Sequence, residues 1–351
     1  MGLAVVWFVL VALFWTGFFV LEGFDFGVGM LHARLGRTDE ERQLALDSIG
    51  PLWDGNEVWL IVAGAAMFAA FPGWYATMFS ALYLPLVLLL VALIVRGVSF
   101  EYRDKRESPR WRRTWSLLMT VGSLVAPLVI GIALGGLLHG VPVDAQQEFS
   151  GTLLDLFSPY SLFVGLTVVA LCVTHGATFL ALKVDGDVRQ RARTIGRRAA
   201  PVAALAVLVF VVWTQVLDGR GVIPGLVPAI GVLAAATTAL LVRRGQDGWA
   251  FASTTLAVAA TISTIFLSLY PSAMVSSSGS QFDLTVQNTA SSSYALTVMT
   301  IVAAIFFPLV LVYQGWTYYV FRRRLQLGPS GPLVPGQPGS PEHRAAPVAG
   351  H

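Results

Sequence analysis

The chain has 351 residues, 55% of them hydrophobic and 12% charged. A soluble domain would carry about twice that share of charge, so the composition excludes a soluble globular protein and indicates a chain that crosses a membrane several times. The pI of 9.2 does not signal nucleic-acid binding, because the basic residues are sorted by loop, and the single cysteine, Cys172, excludes an internal disulfide framework or thiolate cluster.

A span needs about 20 apolar residues. In chain order the hydropathy predicts nine, at residues 4–31, 56–72, 75–95, 115–138, 160–182, 199–217, 222–241, 249–270 and 294–321. The opening MGLAVVWFVL has no basic n-region, so the first segment is expected to remain as a helix. Spans two and three are separated only by Phe71-Pro72-Gly73, and spans six and seven by residues 217–221. The outer loop 271–293 is polar, with a short alternating stretch at Phe282–Val286. The tail from residue 325 is rich in Pro, Gly and Ser without an apolar period; a membrane domain over 1–324 and a disordered cytoplasmic tail over 325–351 are expected.

Basic residues fall in alternate loops: 32–55, 96–114, 183–198, the pair Arg243-Arg244, and Arg322 to Arg324 with the tail. Arg220 is the one exception. The rule that cytoplasmic loops are enriched in Lys and Arg then places the N-terminus outside and the C-terminus inside. That arrangement requires an odd number of spans, which nine satisfies.

Four carboxylates lie in or beside the first two spans: Glu22 and Asp25 in FVLEGFDFGVGML, and Asp54 and Glu57 in GPLWDGNEVWLI. An acid inside a bilayer costs a few kcal/mol or more and normally faces a protein interior that handles protons or ions. Each pair is three residues apart and shares a helix face. Asp25 lies about six residues before the predicted inner end of its span, roughly 9 Å from it, and Asp54 and Glu57 fall in the first turn of the next. All four therefore gather toward the cytoplasmic side. Asp54 and Glu57 also have a purely structural explanation, since acids suit helix N-termini. That explanation is weaker for Glu22 and Asp25, because they sit toward a helix C-terminus, where the macrodipole disfavours acids.

Of five histidines only His175 is well inside a span; His32 and His139 fall at span ends. A membrane haem needs two axial ligands, and a lone intramembrane His more often hydrogen-bonds a neighbouring helix, so the chain is not expected to hold redox metal. No Walker A sequence occurs. The pairs Gly23/Gly27 and Gly131/Gly135 permit close helix contact. Aromatic residues at predicted span ends, including Trp74, Tyr160, Trp249, Tyr270, Trp316, Tyr318 and Tyr319, suit interfacial belts. Trp53 and Trp59, beside the acids, could line a lipid or quinone cleft.

The blocks Glu22-Gly-Phe-Asp-Phe-Gly-Val-Gly-Met-Leu31 and Gly50-Pro-Leu-Trp-Asp-Gly-Asn-Glu-Val-Trp-Leu-Ile61 resemble subunit II of the cytochrome bd-type quinol oxidases. Similar blocks continue at Phe71–Ala76, Phe100–Arg103, Gly140–Pro142, Asp247–Phe251, Tyr270-Pro271, Met299-Thr300 and Tyr313–Tyr318. The resemblance implies an all-α polytopic membrane protein of nine transmembrane helices, two four-helix bundles plus one extra helix, paired with a haem-bearing subunit I in a bacterial plasma membrane. It implies a complex that oxidises quinol and reduces O2 to water, with two haems b and one haem d in the partner. Asp25 and Asp54 match the family acids associated with a cytoplasmic proton path; some relatives carry Asp in place of Glu22 and Gln in place of Glu57. Small accessory membrane subunits and a structural quinone accompany some members. The alternative from residue patterns alone is a proton- or cation-coupled secondary transporter, which buried acids near one face would also suit.

Overall fold

The computed structural model describes residues 2–218, 225–328 and 331–333. Eleven α-helices run in chain order: α1 Leu3–Leu35, α2 Asp39–Asp47, α3 Trp53–Ala70, α4 Pro72–Ala81, α5 Tyr83–Tyr102, α6 Pro109–His139, α7 Pro159–Lys183, α8 Gly186–Asp218, α9 Leu226–Arg243, α10 Asp247–Leu269 and α11 Ser293–Val320. Among the described residues, eight of them (α1, α5 to α11) are long and apolar enough to cross a membrane. The protein is thus an all-helical, polytopic membrane protein.

The predicted span over 75–95 merges two helices. Pro72 opens α4 at its first turn, α4 stops at Ala81, and Leu82 separates it from α5. Pro85 then falls in the first turn of α5, where a missing N–H costs nothing because those donors have no intrahelical partner. The membrane helix is therefore α5, which runs past the predicted end at 95 to Tyr102 and takes Arg96 out of the loop to which the charge pattern assigns it. The predicted start of span six at 199 is also displaced: α8 begins at Gly186, so the basic segment 186–198 is helical. Its arginines pair with acids, Arg189 and Arg193 with Asp247 at 2.7 and 2.6 Å and Arg191 with Glu41 at 2.6 Å. The predicted break at 217–221 falls largely on residues 219–224, which lie outside the described residues.

At the end of the molecule where the basic residues gather, here the basic end, α2 closes the connection from α1 to α3. Thr38 caps it, accepting from Glu41 N at 3.3 Å while the Glu41 carboxylate accepts from Thr38 N at 3.3 Å. Such a capping box satisfies two otherwise free N–H groups. Leu44, Ala45 and Leu46 face inward. Leu44 and Ala45 join Leu31 and Leu35 of α1 and Leu180 of α7 in one buried cluster. At the opposite end, β1 (Ser272–Met274) pairs antiparallel with β2 (Leu284–Thr285) inside the loop whose alternation predicts extended structure. Past α11, β3 (Gln326–Gly328) and β4 (Gly331–Leu333) form a short hairpin; the rest of the predicted tail, residues 334–351, lies outside the described residues.

α1 is the central element, packed against α3, α6, α7 and α10. Its approach to α7 depends on glycine: a Cβ on Gly176 would sit 2.5 Å from the Gly27 Cα and 2.6 Å from the Val28 nitrogen. The second glycine pair works the same way, with Gly131 against Gly165 and Gly135 against Ser161 of α7. Among the predicted belt aromatics, Trp249, Tyr270, Trp316 and Tyr319 are exposed, but Trp74 and Tyr160 are core residues. Tyr160 is held by a 2.8 Å hydrogen bond with Thr214, so its position near a helix end reflects packing.

Candidate functional site

α1 runs to Leu35, four residues beyond the predicted end, which puts Asp25 about 15 Å from the helix terminus. Glu22 and Asp25 are completely buried. The counterion is Arg96 of α5, itself fully buried, with Nη2 2.6 Å from Glu22 Oε1 and Nη1 3.3 Å from Glu57 Oε2. The side chain of Glu57 is 21% exposed. Three rings surround the guanidinium, with its carbon 4.9 Å from the Phe26 centroid, 5.4 Å from Phe100 and 5.8 Å from Trp53. Aromatic faces favour a cation by about 0.5–2 kcal/mol each. Trp53 stacks on Phe100 at 4.6 Å and 11°, which fixes this cage.

Asp25 is engaged from the other side. Asn56 Nδ2 donates to Asp25 Oδ2 at 2.7 Å and to the Leu21 carbonyl at 3.2 Å. Asn56 Oδ1 accepts from Gln314 Nε2 at 2.9 Å and from the Tyr318 hydroxyl at 3.0 Å, both on α11. The amide is fully used, with donors toward the acid and the acceptor toward α11, so its orientation is determined by the network. The Glu22 and Asp25 carboxyl groups also hydrogen-bond each other. One guanidinium thus faces three carboxyl groups.

The structure brings together Glu22, Asp25 and Glu57 but leaves Asp54 outside: it is exposed on α3. Trp53 and Trp59 have different neighbours. Trp53 belongs to the arginine cage, while Trp59 packs between Phe14 and Phe307 at 6.4 and 6.2 Å. Its ring lies so close to Gly17 that a Cβ there would sit 2.6 Å from it. An apolar cavity of about 450 Å³ does open beside α3, lined by Leu60, Ile61, Gly64 and Phe68 with residues of α4, α5 and α6. Arg96, Asn56, Gln314 and Tyr318 are site residues that sequence reasoning misses. Asn56 lies in view between the two acids of its block, and Arg96 sits at a span edge where it passes for a loop charge.

His175 commits both ring nitrogens, Nδ1 to Thr254 Oγ1 at 2.9 Å and Nε2 to the Val20 carbonyl at 3.2 Å, and stacks on Phe251 at 4.8 Å. His32 is buried with Nδ1 on the Gly29 carbonyl at 2.8 Å. Among the described residues, no group of three or more His, Cys, Asp or Glu is placed to hold a metal ion.

The family model for cytochrome bd terminal oxidase subunit II matches residues 3–321, and the chain belongs to that family. It is 43% identical over 323 residues to the cytochrome bd ubiquinol oxidase subunit 2 of Bacillus subtilis, covering 91% of this chain and 96% of that one. It is 36% identical over 351 residues to the cytochrome bd-I ubiquinol oxidase subunit 2 of Escherichia coli K12, covering 90% and 93%. The fold is similar to a chain in the structure of bd oxidase from Geobacillus thermodenitrificans, with a TM-score of 0.73 at 21% identity over 91% of this chain and 97% of that one.

Proposed function

We propose that this chain is the haem-free subunit of a quinol:oxygen oxidoreductase and supplies scaffold and proton access to a haem-bearing subunit I. The complex would oxidise two quinols to quinones, releasing four protons outside, and reduce one O2 to two waters with four protons drawn from the cytoplasm. Charge separation then needs no pump. Two haems b and one haem d, carried by subunit I, would supply the electron transfer. The near full-length match to subunit II relatives is the observation that carries this reading.

In this proposal Asp54 and Glu57 form the mouth of the proton path, and Glu22 and Asp25 its buried relay. Exposure falls from Asp54 through Glu57 to the fully buried pair, which suits entry from the basic end. Arg96 offsets one negative charge of three. The hydrogen bond between the Glu22 and Asp25 carboxyls joins the two buried members of the relay. The sorted basic residues support a cytoplasmic basic end, hence an outside N-terminus and a cytoplasmic C-terminus. α3, 18 residues long with two acids in its first turns, would be the ninth span, and the nine would pack as two four-helix bundles plus one extra helix. Quinol, the lipid bilayer and small accessory membrane subunits complete the proposed partners, and the apolar cavity beside α3 has room for a quinone tail.

The test is purification through a tag on this chain. A haem-containing subunit I should copurify and catalyse quinol-driven oxygen uptake. Colourless, inactive preparations from cells that express both subunits would overturn the proposal, as would stoichiometric haem on this chain alone.

A further inference from the structure

A second cavity at the basic end lies apart from the acid cluster. It holds about 330 Å³ between the turn after α2, the C-terminus of α7 and the end of α11, and is lined by Asp47, Ser48, Pro51, Lys183, Arg322 and Arg323 among others. Lys183 is only 8% exposed. Its ammonium donates to the Phe321 carbonyl and, at 2.7 Å, to the Arg323 carbonyl. Among the described residues no carboxylate lies within ion-pair distance of it. An ammonium has three protons, so one remains unassigned, and a nearly buried charge without a counterion is costly. Arg322 likewise has no carboxylate partner among the described residues; it donates to the Tyr319 carbonyl at 2.5 Å and lies over the Tyr319 ring. The lining acid, Asp47, is engaged by Gln43 at 2.8 Å.

The cavity opens where a membrane surface would meet the protein. Trp316 and Tyr319 are exposed beside it, as interfacial aromatics are. From its edge, Val320, Trp316, Val312, Leu309 and Ile305 form one exposed apolar stripe along α11, spaced three and four residues apart. A basic pocket at the head of an exposed apolar stripe matches a molecule with an anionic head and a hydrocarbon tail.

We propose that this pocket binds the phosphate of an anionic phospholipid headgroup, with Lys183 and Arg322 supplying the charge and the α11 stripe carrying an acyl chain. A soluble phosphate would use the same cations but would gain nothing from the stripe.

The test uses the complex purified through this chain, stripped of lipid in detergent and titrated with phosphatidylglycerol, phosphatidylcholine or inorganic phosphate while bound lipid is counted by native mass spectrometry. Phosphatidylglycerol should bind saturably. Lys183→Gln and Arg322→Gln should each weaken it about fivefold, as expected for one surface cation, with phosphatidylcholine binding unaffected. Asp47→Asn should not weaken it. Arg322 is exposed, so its variant keeps the test independent of any loss of the Lys183 tether to the end of α11. Unchanged phosphatidylglycerol affinity in either cation variant overturns the site. Displacement of the lipid by millimolar inorganic phosphate, with no dependence on chain length, would make it a phosphate site and overturn the lipid assignment.

Discussion

Arg96→Met should be among the most damaging single substitutions in this chain. The arginine is completely buried, 2.6 Å from the equally buried Glu22 and 3.3 Å from Glu57, beneath three aromatic rings. Its removal strands a carboxylate in a low-dielectric interior. Breaking a buried ion pair from one side costs about 3–5 kcal/mol, which is roughly two to four decades in the ratio of folded to unfolded protein. The double variant Arg96→Met with Glu22→Gln takes away both charges and should recover more than half of that loss, since the stranded charge and not the missing attraction dominates the cost. Arg96→Lys should fall between, because a single ammonium cannot reach two carboxylates through separate planar donors. The assay is the yield and heat-inactivation midpoint of the purified complex with its haem content. A single variant as stable as the parent, or a double variant no better than the single, would refute the reasoning.

Asp25→Asn should cut quinol-driven oxygen uptake about a hundredfold, the low side of what positioned proton transfer contributes, while haem spectra stay normal; loss of haem in step with activity would instead show a structural role. Asp54→Asn, at the exposed mouth of the proposed path, should slow uptake less, and the order of the two rates checks it. Gly176→Val places carbon atoms against the α1 backbone at Gly27 and Val28 and should cost about 1–3 kcal/mol by overpacking, read as a lower inactivation midpoint. Burial pushes the Asp47 carboxyl above the ordinary aspartate range, with its hydrogen bond from Gln43 acting against that shift. Its ionised form therefore opposes folding once pH exceeds the ordinary aspartate value, so Asp47→Asn should stabilise the complex at neutral pH, and the gain should vanish as pH falls below that value. A gain that persists in acid would show that charge is not its source.

The sequence is most informative where one kind of physics acts alone. Apolar length locates the membrane helices, and acids in hydrocarbon have few explanations, so Glu22 and Asp25 stand out from the residue pattern itself. Where two signals overlap, the pattern misleads. Arg96 passes for a loop charge because the apolar run fades near it; only the packing of α5 shows that it is the counterion the acids require. The break at Leu82 hides inside a continuous apolar run, although Pro85 is a legible warning. Trp74 and Tyr160 lie near helix ends, where belt and core aromatics have the same sequence signature. Gln314 and Tyr318 join Asn56 across separations of 258 and 262 residues, a relation no local pattern encodes.

The acid cluster also has an order of manufacture. Glu22 and Asp25 leave the ribosome about 70 residues before Arg96, which at roughly 5–20 residues per second is a delay of several seconds. During that interval α1 must enter the insertion machinery with two acids and no counterion, so it should linger beside polar surfaces of the translocon until α5 arrives. The final hydrogen bonds wait longer still, because Gln314 and Tyr318 belong to the last helix made. A nascent chain cut before α11 would hold Asn56 half-satisfied, a marker by which membrane quality control could tell an unfinished subunit from a complete one.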